Sequence, residues 1–199
     1  MKRKTKKELD SLYHLWFDTK SSELLKGWPL EERDENYYVN QIYENFVFNL
    51  ALPDNGKILV MGTHNCISFD KLCQHFGYDR CIGFDLFNPT NHPSVIIKDC
   101  EYLDESSDFE IAFCHNDTGS FWKTPNLKLH CQDWASRNII KGGYLLGNNN
   151  YNRPRIELET RLENLGFSNY QLTDQNKFNH KNISIGQDIL KGYMLSIKE

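Results

Sequence analysis

Short apolar runs alternate with amphipathic segments from residue 53 onwards, and this alternation constrains the fold more than any other feature. The first run, KILVM, follows a PDNG turn and ends at Gly62, and the amphipathic segment SFDKLCQHF then leads to Gly77. Strands that alternate with helices form parallel sheets through crossover connections. Continuous apolar strands are typical of a sheet buried on both faces. The pattern therefore predicts an α/β fold with a doubly wound, mostly parallel sheet.

The strand-like runs after KILVM have lengths and borders that fit the same sheet. They are CIGFD (81–85), SVIIK (94–98), FEIAFC (109–114), YLLG (144–147), FSNYQLT (167–173) and GYMLSIK (192–198). Helical segments, NLKLHCQDWASRNI and RIELETRLENLG, separate the middle runs, but only a polar connection separates the last two. Without an intervening helix, neighbouring strands pair antiparallel. We therefore expect an antiparallel C-terminal edge in the sheet.

The first 52 residues have a different pattern and are predicted to form a helical cap. Apolar side chains recur at helical spacing in 9–17 and 39–50, and Gly27 and Pro29 break the pattern between them. We expect 1–52 to cover the sheet domain, 53–199. Five of the first seven residues are Lys or Arg. This basic tail is either a solvated terminus or a contact for a nucleic acid or another acidic partner.

Composition excludes several classes of protein. The net charge of −4 argues against a dedicated nucleic-acid binder, which needs to neutralise phosphates. No apolar run approaches the roughly 20 residues that cross a bilayer, and the polar ELDS after the basic start argues against a secretory signal. The six cysteines contain no CxxC pair, which fits a reduced, cytoplasmic protein. The pattern does not determine the oligomeric state.

Ligands of doubly wound sheets bind beyond the carboxyl ends of the strands, so the residues there are candidate site residues. Gly62, Thr63 and His64 follow the first strand, where a glycine lets a ligand approach the backbone and the next helix start favours negative charge. The alternative is a simple tight turn. Asp85 ends the second strand and is placed to accept hydrogen bonds from a ribose diol, or else to cap a turn. Leu86 beside it could pack on an adenine.

The ends of the third and fourth strands carry the other candidates. Asp99, with Cys100 after it, could accept a hydrogen bond from an adenine amino group or be a solvated loop acid. His115 is predicted to follow the fourth strand beside a carboxylate, and an imidazole removes protons near neutral pH. A structural histidine is the alternative. Asp117 could orient that imidazole, cap the next helix or bind substrate.

The order of these parts resembles the class I S-adenosylmethionine-dependent methyltransferase family over about 53–199. The motifs that carry the resemblance are KILVMG, GFDLF, IKDCEYLD, DFEIAF, KGGYLLG, RLENLGF and GYMLSIK. The resemblance implies a Rossmann-like fold and S-adenosylmethionine as cofactor. It implies that Gly62 and Thr63, in the loop that includes His64, face the methionine part of the cofactor. The segment 114–117 would then lie beside the sulfonium.

The same resemblance implies how the nucleoside is held. Asp85 would bind the ribose hydroxyls, and Asp99 and Cys100 would contact the adenine. The reaction implied is in-line methyl transfer to an oxygen or nitrogen of a small-molecule acceptor, with His115 as the candidate base. The alternatives are a non-catalytic binding or scaffold protein with this fold, and an RNA-directed methyltransferase that uses the basic N-terminus.

A narrower resemblance concerns the metal-dependent small-molecule O-methyltransferases, the catechol type among them. Their fourth strand ends in Asp-His and their fifth in Asp followed by Asn. This chain has Cys114-His115 and Asn148-Asn149 at those places. Because hard divalent cations prefer carboxylate oxygens, the missing acids predict that the chain holds no catalytic metal.

Overall fold

The computed structural model describes residues 42–64, 66–88, 90–103, 109–118, 125–148, 155–171 and 193–199. The strands are β1 (Lys57–Met61), β2 (Cys81–Asp85), β3 (Val95–Ile97), β4 (Ile111–Asn116), β5 (Ile139–Asn148), β6 (Phe167–Gln171) and β7 (Tyr193–Lys198). The α-helices described in full are α1 (Ile67–Phe76), α2 (Pro125–Asn138) and α3 (Arg155–Asn164). Short 3-10 turns occupy Val47–Asn49 and Cys100–Tyr102.

The strands form one seven-stranded sheet in the order β3-β2-β1-β4-β5-β7-β6. The pairs from β3 to β5 are parallel, whereas β7 runs antiparallel to both β5 and β6. The predicted α/β class and the antiparallel pair at one edge are therefore confirmed. The reversed strand, β7, is inserted between β5 and β6, so that β6 forms the edge itself.

The core consists of two clusters of apolar side chains, one on each face of the sheet. Ile58 and Val60 of β1 belong to the cluster that also contains residues of α1, while Leu59 and Met61 belong to the cluster that contains residues of α2. Successive side chains of a strand point to opposite faces. The continuous apolar run KILVM is thus explained, because both faces of β1 are covered.

The described part of the predicted N-terminal cap packs directly on the sheet. Residues 42–45 form a helical turn, and Ile42, Tyr43, Phe46 and Val47 are buried in the same cluster as Ile58. The helix predicted over 9–17 and the basic tail lie outside the described residues. The division of the chain at 52/53 stays a prediction.

The strand boundaries differ most from the sequence prediction in β4 and β5. β4 was predicted to end at residue 114 but continues to Asn116, which pairs with Met61 on one side and with Gly147 on the other. β5 begins at Ile139 rather than at residue 144. Backbone pairing to two neighbours continues a strand whatever its side chains, so the polar residues remain in the ladder. His115 consequently lies within β4 and not after it, which corrects the prediction.

The described helices include none that is long and apolar enough to span a membrane. All six cysteines are free thiols with buried side chains.

Candidate active site

The loop after β1 approaches the end of β4 closely at Gly62. The φ angle of Gly62 is +89°, in the region that favours glycine. A Cβ on Gly62 would lie 3.0 Å from the carbonyl oxygen of Asp117, closer than ordinary van der Waals contact. Glycine is therefore required here by its backbone conformation and by the space available. The strand ends of β1 and β4 form one edge of the candidate site.

The Asp85 carboxylate organises this loop from the end of β2. Its Oδ2 accepts hydrogen bonds from the backbone N–H of His64, at 2.8 Å, and from the hydroxyl of Thr63, at 3.4 Å. Its Oδ1 accepts the N–H of Phe87 at 3.2 Å. A carboxylate offers about four lone-pair positions, so these three donors leave capacity for another. The turn-capping role and a ribose-binding role of Asp85 are thus compatible.

His64 and Asp117 form a side-chain pair at the mouth of the site. The Nε2 of His64 lies 3.2 Å from Oδ2 of Asp117, and the side chains are 23% and 17% exposed. An ionised carboxylate only accepts hydrogen bonds, so the His64 nitrogen that faces it carries the hydrogen. The sequence prediction had Asp117 as one candidate to orient His115. In the structure the β1 loop brings His64 to Asp117 beyond the strand end, and the roles of Asp117 towards His115, the next helix or a substrate stay predictions.

His115 is buried, with 1% of its surface exposed, and its Nδ1 lies 2.7 Å from the hydroxyl oxygen of Tyr43. The two rings meet edge to face at 5.6 Å between centroids, and the ring of Tyr193 lies 6.0 Å from that of His115. Burial, followed by the negative charge of Asp117, raises the pKa of Tyr43 well above its ordinary value. The Tyr43 phenol therefore keeps its proton beside His115.

A small, partly open cleft lies at the carboxyl ends of β1 and β4. Its lining consists of Tyr43, Val60, Gly62, Thr63, His64, Ser68, Phe69, His115 and Asp117. The structure thus brings together five residues predicted from the sequence, and Asp85 joins them through its hydrogen bonds to the loop. Sequence reasoning missed Tyr43 as a pocket residue. Its only signal was membership of an apolar stripe at helical spacing, which predicts burial and not a polar contact.

Besides Asp85, three predicted cofactor residues do not line this pocket. Leu86 and Asp99 are half-buried, beyond β2 and β3 respectively. Cys100 is buried in the second core cluster, where a hydrogen bond with Cys131 and burial raise the pKa of its thiol. Its contact with an adenine stays a prediction.

The residues that the structure describes contain no group of three or more His, Cys, Asp or Glu side chains positioned to hold a metal ion. The expectation that the chain holds no catalytic metal stays a prediction.

The sequence matches no family model and no curated protein. Solved structures match it by fold. A TehB-like S-adenosylmethionine-dependent methyltransferase from Corynebacterium glutamicum matches with a TM-score of 0.55 and 12% identity, over 98% of this chain and 100% of that one. The N-methyltransferase NodS from Bradyrhizobium japonicum, in complex with S-adenosylhomocysteine, matches with a TM-score of 0.51 and 13% identity, over 90% and 95%.

A third match is the 1,6-didemethyltoxoflavin-N1-methyltransferase from Burkholderia thailandensis, with 1,6-didemethyltoxoflavin and S-adenosylhomocysteine bound. Its TM-score is 0.54 at 10% identity, over 98% of this chain and 90% of that one. Identities this low report on the fold. The chain has the Rossmann-like fold of the class I S-adenosylmethionine-dependent methyltransferases, and the fold that the sequence resemblance implied is confirmed.

Proposed function

We propose that this chain binds S-adenosylmethionine at the carboxyl ends of β1, β2 and β4 and methylates an oxygen or nitrogen of a small-molecule acceptor. One observation carries the proposal. The Asp85 carboxylate at the end of β2 holds the loop of Gly62, Thr63 and His64, so the two predicted parts of a cofactor site form one hydrogen-bonded unit. The 1,6-didemethyltoxoflavin bound to one matched structure and the S-adenosylhomocysteine bound to two support it at the level of analogy.

The residues present fit the cofactor chemically. Asp85 has acceptor capacity left for ribose hydroxyls, which are donors, and the missing side chain of Gly62 leaves backbone open to a ligand. Leu86 offers an apolar contact for adenine, and Asp99 offers an acceptor for its amino group. When bound, the cofactor supplies an electrophilic methyl group on a positively charged sulfur.

The chain's own contribution is alignment and proton handling. Holding donor and acceptor in line can lower the barrier by up to about 7–11 kcal/mol. A base that takes the proton of a hydroxyl acceptor adds about 10²–10⁴-fold in rate. His115, the base predicted from the sequence, and His64 both line the pocket with Asp117. The helical segment that contributes Tyr43 would form part of the cover over the acceptor, in line with the proposed cap of residues 1–52.

A second candidate function is non-catalytic binding or scaffolding on the same fold. The hydrogen bonding of Asp85 favours it, because three donors of the chain already bind this carboxylate. The loop also holds two non-glycine residues at positive φ, His64 at +51° and Cys66 at +67°. The hydrogen bonds to Asp85 hold the loop in this strained conformation without a cofactor.

Thermal unfolding with and without S-adenosylhomocysteine tests the proposal. A ligand at about 100 times its Kd stabilises by roughly 2.7 kcal/mol, which raises the Tm of a chain of this size by roughly 5–10 °C. We expect this rise in the wild type and in Asp54→Asn, an exposed control, and its loss in Asp85→Asn. A wild type with no rise at millimolar ligand, and no transfer of label from methyl-labelled S-adenosylmethionine to any small-molecule acceptor, would leave the non-catalytic function.

A further inference from the structure

The loop between β2 and β3 follows Asp85 directly and is closed by the side chain of Asn88. The Oδ1 of Asn88 accepts the backbone N–H of His92 at 2.7 Å, and its Nδ2 donates to the carbonyl oxygen of His92 at 3.0 Å. At the start of the loop, the N–H of Phe87 donates to Oδ1 of Asp85 at 3.2 Å. The loop is therefore a short, hydrogen-bonded turn with Asp85 at one end and His92 near the other.

The side chain of His92 attaches this loop to α1. It is 8% exposed, its Nε2 lies 3.2 Å from Oδ1 of Asp70 on α1, and its Nδ1 lies 3.2 Å from the backbone nitrogen of Ser94. A backbone N–H only donates and an ionised carboxylate only accepts, so the neutral ring carries its hydrogen on Nε2. Both ring nitrogens thus have a partner, one in the loop and one on the helix.

Asp70 is held in place as the acceptor of this bond. Its Oδ2 accepts the side-chain amide of Gln74 at 2.6 Å, and its Oδ1 also accepts the hydroxyl of Tyr78 at 2.7 Å. The ring of Tyr78 lies nearly parallel to that of His92, with 5.8 Å between centroids. The helix and the turn after it therefore present an oriented carboxylate and an aromatic ring to His92.

Packing connects His92 to the loop after β1 as well. The rings of His92 and Phe69 meet edge to face at 5.0 Å between centroids. A Cβ on Gly83 of β2 would lie 2.6 Å from the methyl group of Thr63 and 3.1 Å from the Phe69 ring, so these two side chains share the space that glycine leaves. Since Thr63 also donates to Asp85, the packed groups reach from His92 to that carboxylate.

We infer that His92 is a positioning residue of the proposed cofactor site, in which it holds Asp85 and Leu86 in place for the nucleoside by attaching the β2–β3 loop to α1; this inference rests on the proposed function. His92 acts through the loop, since it is not among the described residues that line the pocket. A loop that is ordered before binding loses less conformational freedom when the ligand arrives, which raises the affinity.

NMR of the ligand-free, full-length protein tests the attachment. We expect the His92 ring to carry its hydrogen on Nε2 in long-range ¹H–¹⁵N spectra, with His92→Gln to assign the signals. The backbone amide signals of Leu86 and Phe87 should shift in His92→Ala and stay unchanged in His75→Gln, which alters an exposed histidine of α1. A ring hydrogen on Nδ1, or unchanged Leu86 and Phe87 signals in His92→Ala, would overturn the inference.

The Kd for S-adenosylhomocysteine, measured by calorimetry, tests the effect on binding. His92→Gln keeps a donor long enough to reach Asp70, whereas His92→Asn is too short for that and keeps only an acceptor for the Ser94 N–H. We expect Kd to rise at least about 5-fold in His92→Asn and His92→Ala, which is the equivalent of one hydrogen bond. It should change by less than about 2-fold in His92→Gln and in the control His75→Gln.

The outcomes separate the positioning role from the proposed function. If wild type and His92→Asn bind S-adenosylhomocysteine equally well, the positioning role is overturned while the proposed function stands. Wild-type protein that binds none overturns the proposed function, and the positioning role fails with it. Urea denaturation checks that each variant is folded, and where His92→Ala is not, the comparison of His92→Asn with His92→Gln decides.

Discussion

Tyr43 and His115 are 72 residues apart in the chain and share a 2.7 Å hydrogen bond on the wall of the pocket. Tyr43 comes from the segment before the sheet domain, and His115 comes from the centre of the sheet. The bond therefore makes this segment part of the candidate site. Beyond the end of the same strand, Asp117 lies against His64.

Replacing Tyr43 by phenylalanine removes the hydroxyl and keeps the ring. We expect Tyr43→Phe to lower the free energy of unfolding by about 1–3 kcal/mol, because the buried Nδ1 of His115 loses its hydrogen bond. Urea denaturation measures the change. Tyr144→Phe is the matched control: its hydroxyl makes a longer bond, 3.3 Å, to the carbonyl of Ala51, and we expect a loss below about 1 kcal/mol. Equal decreases in the free energy of unfolding in the two variants would contradict a larger stabilising contribution from the Tyr43–His115 bond.

A methyl group at Gly62 should destabilise the protein by more than backbone strain alone does. Gly62→Ala brings a Cβ to 3.0 Å from the Asp117 carbonyl oxygen at φ +89°, whereas Gly166→Ala has φ +81° and nothing within 4 Å. Both variants bear the left-handed strain of about 1–2 kcal/mol. We expect Gly62→Ala to lower the free energy of unfolding by at least about 1 kcal/mol more than Gly166→Ala does, which is in the range of overpacking costs. Urea denaturation measures both changes. Identical losses would mean that the loop relaxes away from β4 freely.

The surface bond between Tyr78 and Asp70 predicts a pH-dependent stability. The Tyr78 hydroxyl, at 2.7 Å, lowers the pKa of Asp70 below its ordinary 3.8, with a smaller contribution from His92. A carboxyl group whose pKa is lowered by folding stabilises the protein above its unfolded pKa, and the stabilisation is lost as the pH falls through the folded pKa. The decrease in the free energy of unfolding caused by Tyr78→Phe should therefore be constant from about pH 6 to about 4.5 and become smaller below pH 3.8.

Urea midpoints of wild type and Tyr78→Phe across this range measure the effect, and His92 is common to both proteins. In an Asp70→Asn background the same substitution should show no pH dependence there. A cost that stays constant down to pH 3 in the unmodified background would exclude the Asp70 carboxylate as its source.

The buried thiols should react slowly in the folded protein. All six cysteines are buried, and burial is a main cause of the raised pKa of the Cys66 and Cys114 thiols, which lowers the thiolate fraction that reacts. We expect modification by a disulfide reagent to be at least about 10²-fold slower than in urea, because exposure requires local opening of about 3 kcal/mol or more. Rapid native modification of one thiol would identify a segment that opens more easily.

Most of the fold could be predicted from the sequence, because hydrophobic periodicity is a local property. KILVM and CIGFD became β1 and β2 within the predicted bounds, and Gly77 ends α1 at φ +97°. The end of β4 could not be predicted in this way. His115 and Asn116 are polar, and only pairing with β1 and β5 keeps them in the strand.

The candidate site was predicted in its parts and not in its pairings. The carboxyl ends of adjacent parallel strands meet at one edge of the sheet, which brings together Gly62, Thr63 and Asp85. The order of strands and loops in the sequence already implied that these residues are close. Cys100 shows the limit of that reasoning. Its position after β3 is the predicted one, but its side chain turns into the core beside Cys131, which the linear pattern does not encode.

By itself, the sequence determined the class of fold, the residues available at the strand ends and the burial of the apolar stripe that contains Tyr43. Periodicity and turn residues act over a few neighbouring positions, so these features can be recognised along the chain. Only the tertiary structure decided that Tyr43 binds His115 and that Asp117 binds His64. Such pairs depend on which side chains two distant segments present to each other after packing, and the spacing of residues in the chain does not specify that.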